Sequence, residues 1–174
     1  TRGEFRLGFR QADIKNNKLL GADSLSTKVD DSRYFARTGF DTLDSLGFPT
    51  EGVRVLGEYS IYDANLGATR QYDGLTLDVL YPFYHRNERT FIGQGYFGYL
   101  FETAVTDVTP RYSLGGFTRL SGYSPNEISG RHAGLISFMG YQRFNERAVI
   151  PVDQPLFIGF SLEAGNVFQD RDEI

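Results

Sequence analysis

Few residues in this sequence have the types and spacing that a catalytic centre needs. Gly93, Gly95 and Gly98 match the dinucleotide-binding fingerprint, which requires a strand before it and a helix after it. Here they lie inside an alternating aromatic run with no helical pattern behind it, so we interpret them as strand glycines. No serine has a glycine two residues before and two residues after it, so the hydrolase nucleophile elbow is absent. The chain has no cysteine, which excludes a thiol nucleophile and thiolate metal sites.

Metal, cofactor and nucleic-acid chemistry have equally little support. His85 and His132 are the only histidines, and neither lies at helical spacing from another metal ligand. The formal net charge is −4, whereas a nucleic-acid partner requires a strongly basic face. We therefore expect no catalytic residue, no metal and no cofactor in this sequence, and no nucleic acid among its partners.

The elements that the sequence predicts are long β-strands. Apolar and polar residues alternate strictly over about seven runs of roughly ten residues each. In the first run Phe5, Leu7 and Phe9 alternate with charged residues, and a turn at 45–52 joins the second and third runs into a hairpin. No stretch has a convincing helical pattern, and no window of about 18 apolar residues could form a transmembrane helix. The sequence thus predicts an all-β fold.

Alternation does not by itself say which face is inside. The runs are longer than the five to six residues of an average globular strand, and a tilted membrane strand needs roughly 9 to 11. Aromatic residues gather near the ends of the runs, where the girdles of membrane barrels lie. The apolar faces carry almost no charge, and a charge there costs about 2 to 4 kcal/mol at the bilayer midplane. These features favour an antiparallel transmembrane β-barrel of the outer-membrane type, present here as about seven or eight strands.

Three motifs sharpen this prediction. Segment 114–123, Leu-Gly-Gly-Phe-Thr-Arg-Leu-Ser-Gly-Tyr, resembles the loop motif in the outer-membrane barrel of bacterial patatin-like phospholipases, the type Vd autotransporters of the PlpD kind, within the BamA/TamA superfamily. Segment 40–52 resembles that superfamily's recurring turn, and segment 161–168 is similar to its late-strand acidic-x-Gly-x-x-aromatic motif. The turn motif places its characteristic residues at Asp41, Asp44, Pro49 and Gly52.

The resemblance implies a structural site in the barrel lumen. In the superfamily the loop motif folds back into the lumen, and its arginine pairs with the acidic residue of the late strand. Carried over by position, Arg119 would pair with Glu163, and Gly122, Tyr123 and Gly165 would be the other positions of the site. Glu163 lies on the polar face of its run, where a partly desolvated carboxylate needs a partner. A surface-loop or ligand-binding role for Arg119 is the alternative.

The resemblance also implies an organisation and a function. Family members carry a lipase domain, a connector and a barrel of about sixteen strands. Residues 1–174 would then be part of one barrel domain, an excised C-terminal portion without its last strands. The expected function is to anchor and translocate a patatin-like phospholipase passenger in the bacterial outer membrane. Because the nucleophile elbow is absent, we do not expect this chain itself to be an enzyme, although the full-length protein would carry the lipase. Expected partners are outer-membrane lipid, the rest of the barrel, the passenger and a second copy in a homodimer. The alternatives are a BamA/TamA-type assembly factor and a soluble β-barrel that binds an apolar ligand.

Overall fold

The chain folds into β-strands, as the alternation predicts. The computed structural model describes residues 2–20, 23–62, 72–101, 112–144 and 156–169, with side chains at 3–11 and from 32 onward within those ranges. This part of the chain contains nine strands and no helix. The strands are β1 (Arg2–Leu20), β2 (Asp23–Asp41), β3 (Arg54–Tyr62), β4 (Tyr72–Arg86), β5 (Arg89–Phe101), β6 (Tyr112–Leu114), β7 (Ile128–Gly130), β8 (His132–Phe144) and β9 (Leu156–Phe168).

Seven of these strands form one antiparallel sheet in the order β1-β2-β3-β4-β5-β8-β9. The short strands β6 and β7 form a separate hairpin between β5 and β8. Strand β4 has 15 residues and β5, β8 and β9 have 13 each, which exceeds the usual length of a globular strand. Among the described strands, β1 and β9 each pair on one side only, so the described sheet is open.

The first hairpin is longer than the alternation predicts. Strands β1 and β2 remain paired from Gln11 opposite Ser32 to Leu20 opposite Asp23. Residues 11–31 include many polar residues at both odd and even positions, so no apolar period marks them as strand. Alternation predicts a strand only where one face of that strand is apolar, so it does not predict the extension of β1 and β2.

The sheet exposes its apolar side chains and covers many of its polar ones. The register places Leu7, Ile136 and Leu162 on one face, which we call the apolar face, and they are 73%, 74% and 66% exposed. The opposite, polar face carries Ser60 and Ser137, which are 5% and 2% exposed. This arrangement is the reverse of a soluble sandwich, in which the apolar face forms the core.

Candidate functional site

A loop between β5 and β8 folds back over the polar face. In this segment, residues 112–130, Leu114 is fully buried and Leu120 is 8% exposed, and both pack against Ala133 and Leu135 of β8. We call it the inward loop. Its docking buries an apolar cluster on the otherwise polar side of the sheet.

Two glycines of the sheet make room for the inward loop. A Cβ at Gly98 would lie 2.6 Å from the ring of Tyr112, and a Cβ at Gly74 would lie 2.7 Å from the Tyr112 hydroxyl. That hydroxyl donates a hydrogen bond of 3.2 Å to the carbonyl of Tyr99. Burial raises the pKa of Tyr112, so the hydroxyl remains a donor. All three glycines of the dinucleotide-like motif, Gly93, Gly95 and Gly98, lie in strand β5, as we predicted. Gly98 leaves the space that the Tyr112 ring occupies.

The tip of the inward loop is held by its own backbone. The amide of Gly115 donates to the carbonyl of Arg119 at 2.7 Å, and the amide of Gly116 donates to the carbonyl of Tyr123 at 3.0 Å. Gly115 has φ +123°, and a Cβ there would lie 2.2 Å from the carbonyl oxygen of Ser124. Thr118 and Leu120 also have positive φ, 61° and 73°, a conformation that costs non-glycine residues energy. The fold therefore fixes the direction of the chain on both sides of Arg119.

The partner of Glu163 differs from the expected one. Glu163 accepts hydrogen bonds from the backbone amide of Ser121 at 2.6 Å and from its hydroxyl at 2.9 Å. The guanidinium of Arg119 instead lies 4.2 Å from the centre of the Tyr96 ring, a cation–π geometry. None of the salt bridges among the described residues joins Arg119 to Glu163. The expected Arg119–Glu163 pair is thus corrected: Leu120, with φ +73°, packs against β8, and Ser121 beyond it faces the carboxylate.

The other expected positions have separate roles. Gly165 lies where β9 approaches β8, since a Cβ there would be 2.6 Å from the carbonyl oxygen of Gly134. Gly122 is exposed, with no atom within 4 Å of where its Cβ would be. Tyr123 is 47% exposed, and its amide donates to the carbonyl of Leu120 at 3.0 Å. Of these positions, Glu163 contacts the inward loop through Ser121, whereas Gly165 packs against β8.

A double-mutant cycle distinguishes the two candidate partners of Glu163. For Ser121→Ala combined with Glu163→Gln, we expect a coupling energy of about 1 kcal/mol, because the two side chains share hydrogen bonds. For Arg119→Gln combined with Glu163→Gln, we expect less than about 0.5 kcal/mol. Denaturant unfolding of the three single variants, the two double variants and the parent, followed by tyrosine fluorescence, measures both coupling energies. Strong coupling to Arg119 alone would contradict the geometry.

The turn between β2 and β3, residues 42–53, is built around Asp44. Its carboxylate accepts hydrogen bonds from the amide of Thr50 at 2.8 Å, from the Thr50 hydroxyl at 2.6 Å and from the amide of Glu51 at 3.2 Å. Burial opposes ionisation, but these hydrogen bonds bring the pKa of Asp44 below its usual value. Asp41 accepts from the amide of Leu43 at 3.0 Å in the same way. The two aspartates of the motif are therefore hydrogen-bond acceptors that shape the turn.

Gly52 is required by the backbone of this turn. Its φ is +95°, and a Cβ would lie 2.2 Å from the carbonyl oxygen of Thr42. We expect Gly52→Ala to lower the free energy of unfolding by about 1 to 3 kcal/mol. Gly47→Ala in the same turn is the control, because no atom lies within 4 Å of its Cβ position. Denaturant unfolding measures both, and equal effects would contradict the geometry of the turn.

The same turn reaches across the polar face to β8 and β9. The Tyr141 hydroxyl donates to the carbonyl of Pro49 at 2.6 Å, and the ring of Phe48 stacks on that of Phe157 with centroids 3.7 Å apart. Strands β4 and β5 lie between β3 and β8 in the sheet, so the contact requires the sheet to curl around its polar face. Of the four turn-motif residues, Pro49 makes this contact with β8. Nothing in the sequence indicated these two contacts, because the residues of each contact lie about a hundred positions apart in the chain.

The histidines sit in ordinary structural positions. His85 Nδ1 lies 2.9 Å from the Thr90 hydroxyl, and His132 is buried with its Nδ1 accepting from the amide of Leu100 at 3.3 Å. Within the described ranges, no group of three or more His, Cys, Asp or Glu residues could hold a metal ion. The described residues also include no helix long and apolar enough to cross a membrane.

Comparisons with known proteins assign no family to this chain. No protein-family model matches the chain, and no curated protein matches it. The likeness to the barrels of patatin-like phospholipases therefore depends on segments 40–52, 114–123 and 161–168 alone.

Proposed function

We propose that this chain forms part of the wall of an outer-membrane β-barrel that anchors and helps to export a patatin-like phospholipase passenger. The observation that carries the proposal is the exposed apolar face. Ile158, Phe160 and Leu162 alternate along β9 and are 58%, 54% and 66% exposed, and Phe5 and Leu7 repeat the pattern on β1.

Lipid is the covering that best suits such a face. Burying one large apolar side chain contributes about 1.5 to 3 kcal/mol, so a whole face left in water would be strongly unfavourable. A soluble barrel with an apolar ligand inside would need the same residues to point inward. The inward loop and the turn 42–53 both cover the polar face instead, which supports a lumen on that side.

A membrane barrel has to be closed. An unpaired backbone group in the hydrocarbon region costs several kcal/mol, so the free edges of β1 and β9 need partners. We propose that further strands of the same protein complete the barrel, as the family resemblance implies. The passenger and the homodimer are likewise proposals on that resemblance.

Expression from the complete reading frame tests this function. We expect the protein in the outer-membrane fraction, with band mobility on gels that changes on heating, and a lipase domain that reaches the surface only when the barrel is intact. A barrel without such a passenger, whose depletion lowers the amounts of other outer-membrane barrels, would instead indicate a BamA/TamA-type assembly factor. A folded monomer in plain buffer would contradict both membrane functions.

A further inference from the structure

The polar face is divided into a covered half and an open half. The inward loop and the turn 42–53 contact β5, β8 and β9 through residues such as Tyr96, Leu135 and Tyr141. Tyr112 of the inward loop also packs against Tyr62 of β3 and Tyr72 of β4. On β1 and at Arg37 of β2 the polar-face side chains remain open, since those of Arg6 and Arg37 are 61% and 49% exposed, whereas that of Arg33 is 17% exposed. A water-filled path through the proposed barrel would therefore run along β1 and the neighbouring part of β2.

This open half carries a ladder of four arginines. The register sets Arg6 directly opposite Arg37 and Arg10 directly opposite Arg33, all on the polar face. We call these four residues the arginine ladder. Like charges directly opposite each other destabilise an antiparallel pair, so the arrangement is costly for the sheet. A costly pairing of this kind, repeated at two levels, points to a role beyond holding the strands together.

Two carboxylates offset only part of this charge. Glu4 binds Arg6 at 2.6 Å, and Glu58 lies 3.4 Å from Arg33 and also pairs with Arg37. The four arginines and these two glutamates carry a formal net charge of +2, and with Arg54, Asp78 and Asp41 of the same face included the net charge is +1. Further along the face, Asp78 pairs with Arg54 at 3.4 Å. Asp41 accepts from the turn backbone.

We propose that the arginine ladder lines the aqueous path of the barrel and makes it selective for small anions. This inference depends on the membrane barrel proposed above. Rings or rows of Arg and Lys favour anions in a pore, because each cation raises the local concentration of anions and lowers that of cations. Behind the ladder, Ser60 and Tyr62 are buried, and the Tyr62 hydroxyl accepts a hydrogen bond from Arg33, which holds that side chain in place.

The test is ion selectivity in planar lipid bilayers. The protein from its complete reading frame is inserted, and the reversal potential in a potassium chloride gradient gives the ratio of chloride to potassium permeability. We expect a ratio above one. Arg6→Gln combined with Arg10→Gln removes two exposed charges, and we expect the ratio to fall about twofold to fourfold. Arg86→Gln is the matched control, since Arg86 is exposed at the β4–β5 turn and lies outside the ladder.

Insertion is scored separately, by heat-dependent gel mobility and protease protection in vesicles. An inserted barrel that prefers potassium, or that passes no ions because a polypeptide segment fills it, overturns the anion path and leaves the anchor proposal standing. An Arg6/Arg10 variant that behaves like Arg86→Gln also overturns it. Two further variants keep the test decisive if the double Gln variant folds poorly. Arg10→Gln alone should lower the permeability ratio by a smaller factor. Arg6→Lys combined with Arg10→Lys keeps both charges and should leave the ratio unchanged. Failure of the parent protein to insert overturns both proposals.

Discussion

Ile136→Arg should lower the free energy of unfolding in phospholipid vesicles by about 2 to 4 kcal/mol. Ile136 lies in the middle of β8 on the apolar face and is 74% exposed. In water, a substitution at so exposed a position changes stability by about 0.5 kcal/mol or less. The large effect arises only if this face contacts hydrocarbon, where a charge near the midplane is poorly solvated.

A matched variant separates this effect from a general cost of arginine. Leu46 is 85% exposed in the turn 42–53, beyond the end of β2, so Leu46→Arg should change stability by about 0.5 kcal/mol or less. Unfolding by urea in vesicles, followed by tyrosine fluorescence and gel mobility, measures both variants. A small effect of Ile136→Arg would contradict lipid contact at this face.

Leu114→Ala should be the most disruptive truncation in the inward loop. Leu114 is fully buried in the cluster that docks the loop on β8, and truncating a buried leucine costs about 2 to 5 kcal/mol. We also expect the variant loop to become accessible to protease, because this cluster is its main apolar contact with the sheet.

Phe117→Ala is the control for the inward loop. Phe117 lies in the same loop but is 88% exposed, so its truncation should leave both stability and protease resistance nearly unchanged. Limited proteolysis with mass mapping, together with urea unfolding, gives the two readouts. Equal sensitivity of the Leu114 and Phe117 variants would show that the loop is not docked as described.

The strands were predictable because alternation is a local signal. The runs near 133–144 and 90–101 correspond to β8, His132–Phe144, and β5, Arg89–Phe101. The turn containing Pro49 was also predictable from its residue types. The paired extension of β1 and β2 over 11–31 was not, because its residues carry no period.

The contacts of the candidate site were only partly predictable. The resemblance predicted that the inward loop contacts Glu163, and in the structure it does so through Ser121. The side chain that faces the carboxylate depends on the positive φ of Leu120. Leucine rarely adopts this conformation, so the sequence gives no indication of it. The stacking of Phe48 on Phe157 depends on the curl of the sheet, a property of all the strands together.

Lipid contact at neighbouring positions of one strand tests the central claim most directly. Leu7 and Arg6 are adjacent in β1, point to opposite faces and are 73% and 61% exposed, so each accepts a label without steric cost. The chain has no cysteine, so Leu7→Cys and Arg6→Cys each create a single labelling site. In vesicles containing brominated lipids, we expect a fluorophore at position 7 to be quenched by lipid and one at position 6 to be quenched only by aqueous iodide. Quenching by iodide alone at both positions would contradict a membrane-facing apolar surface.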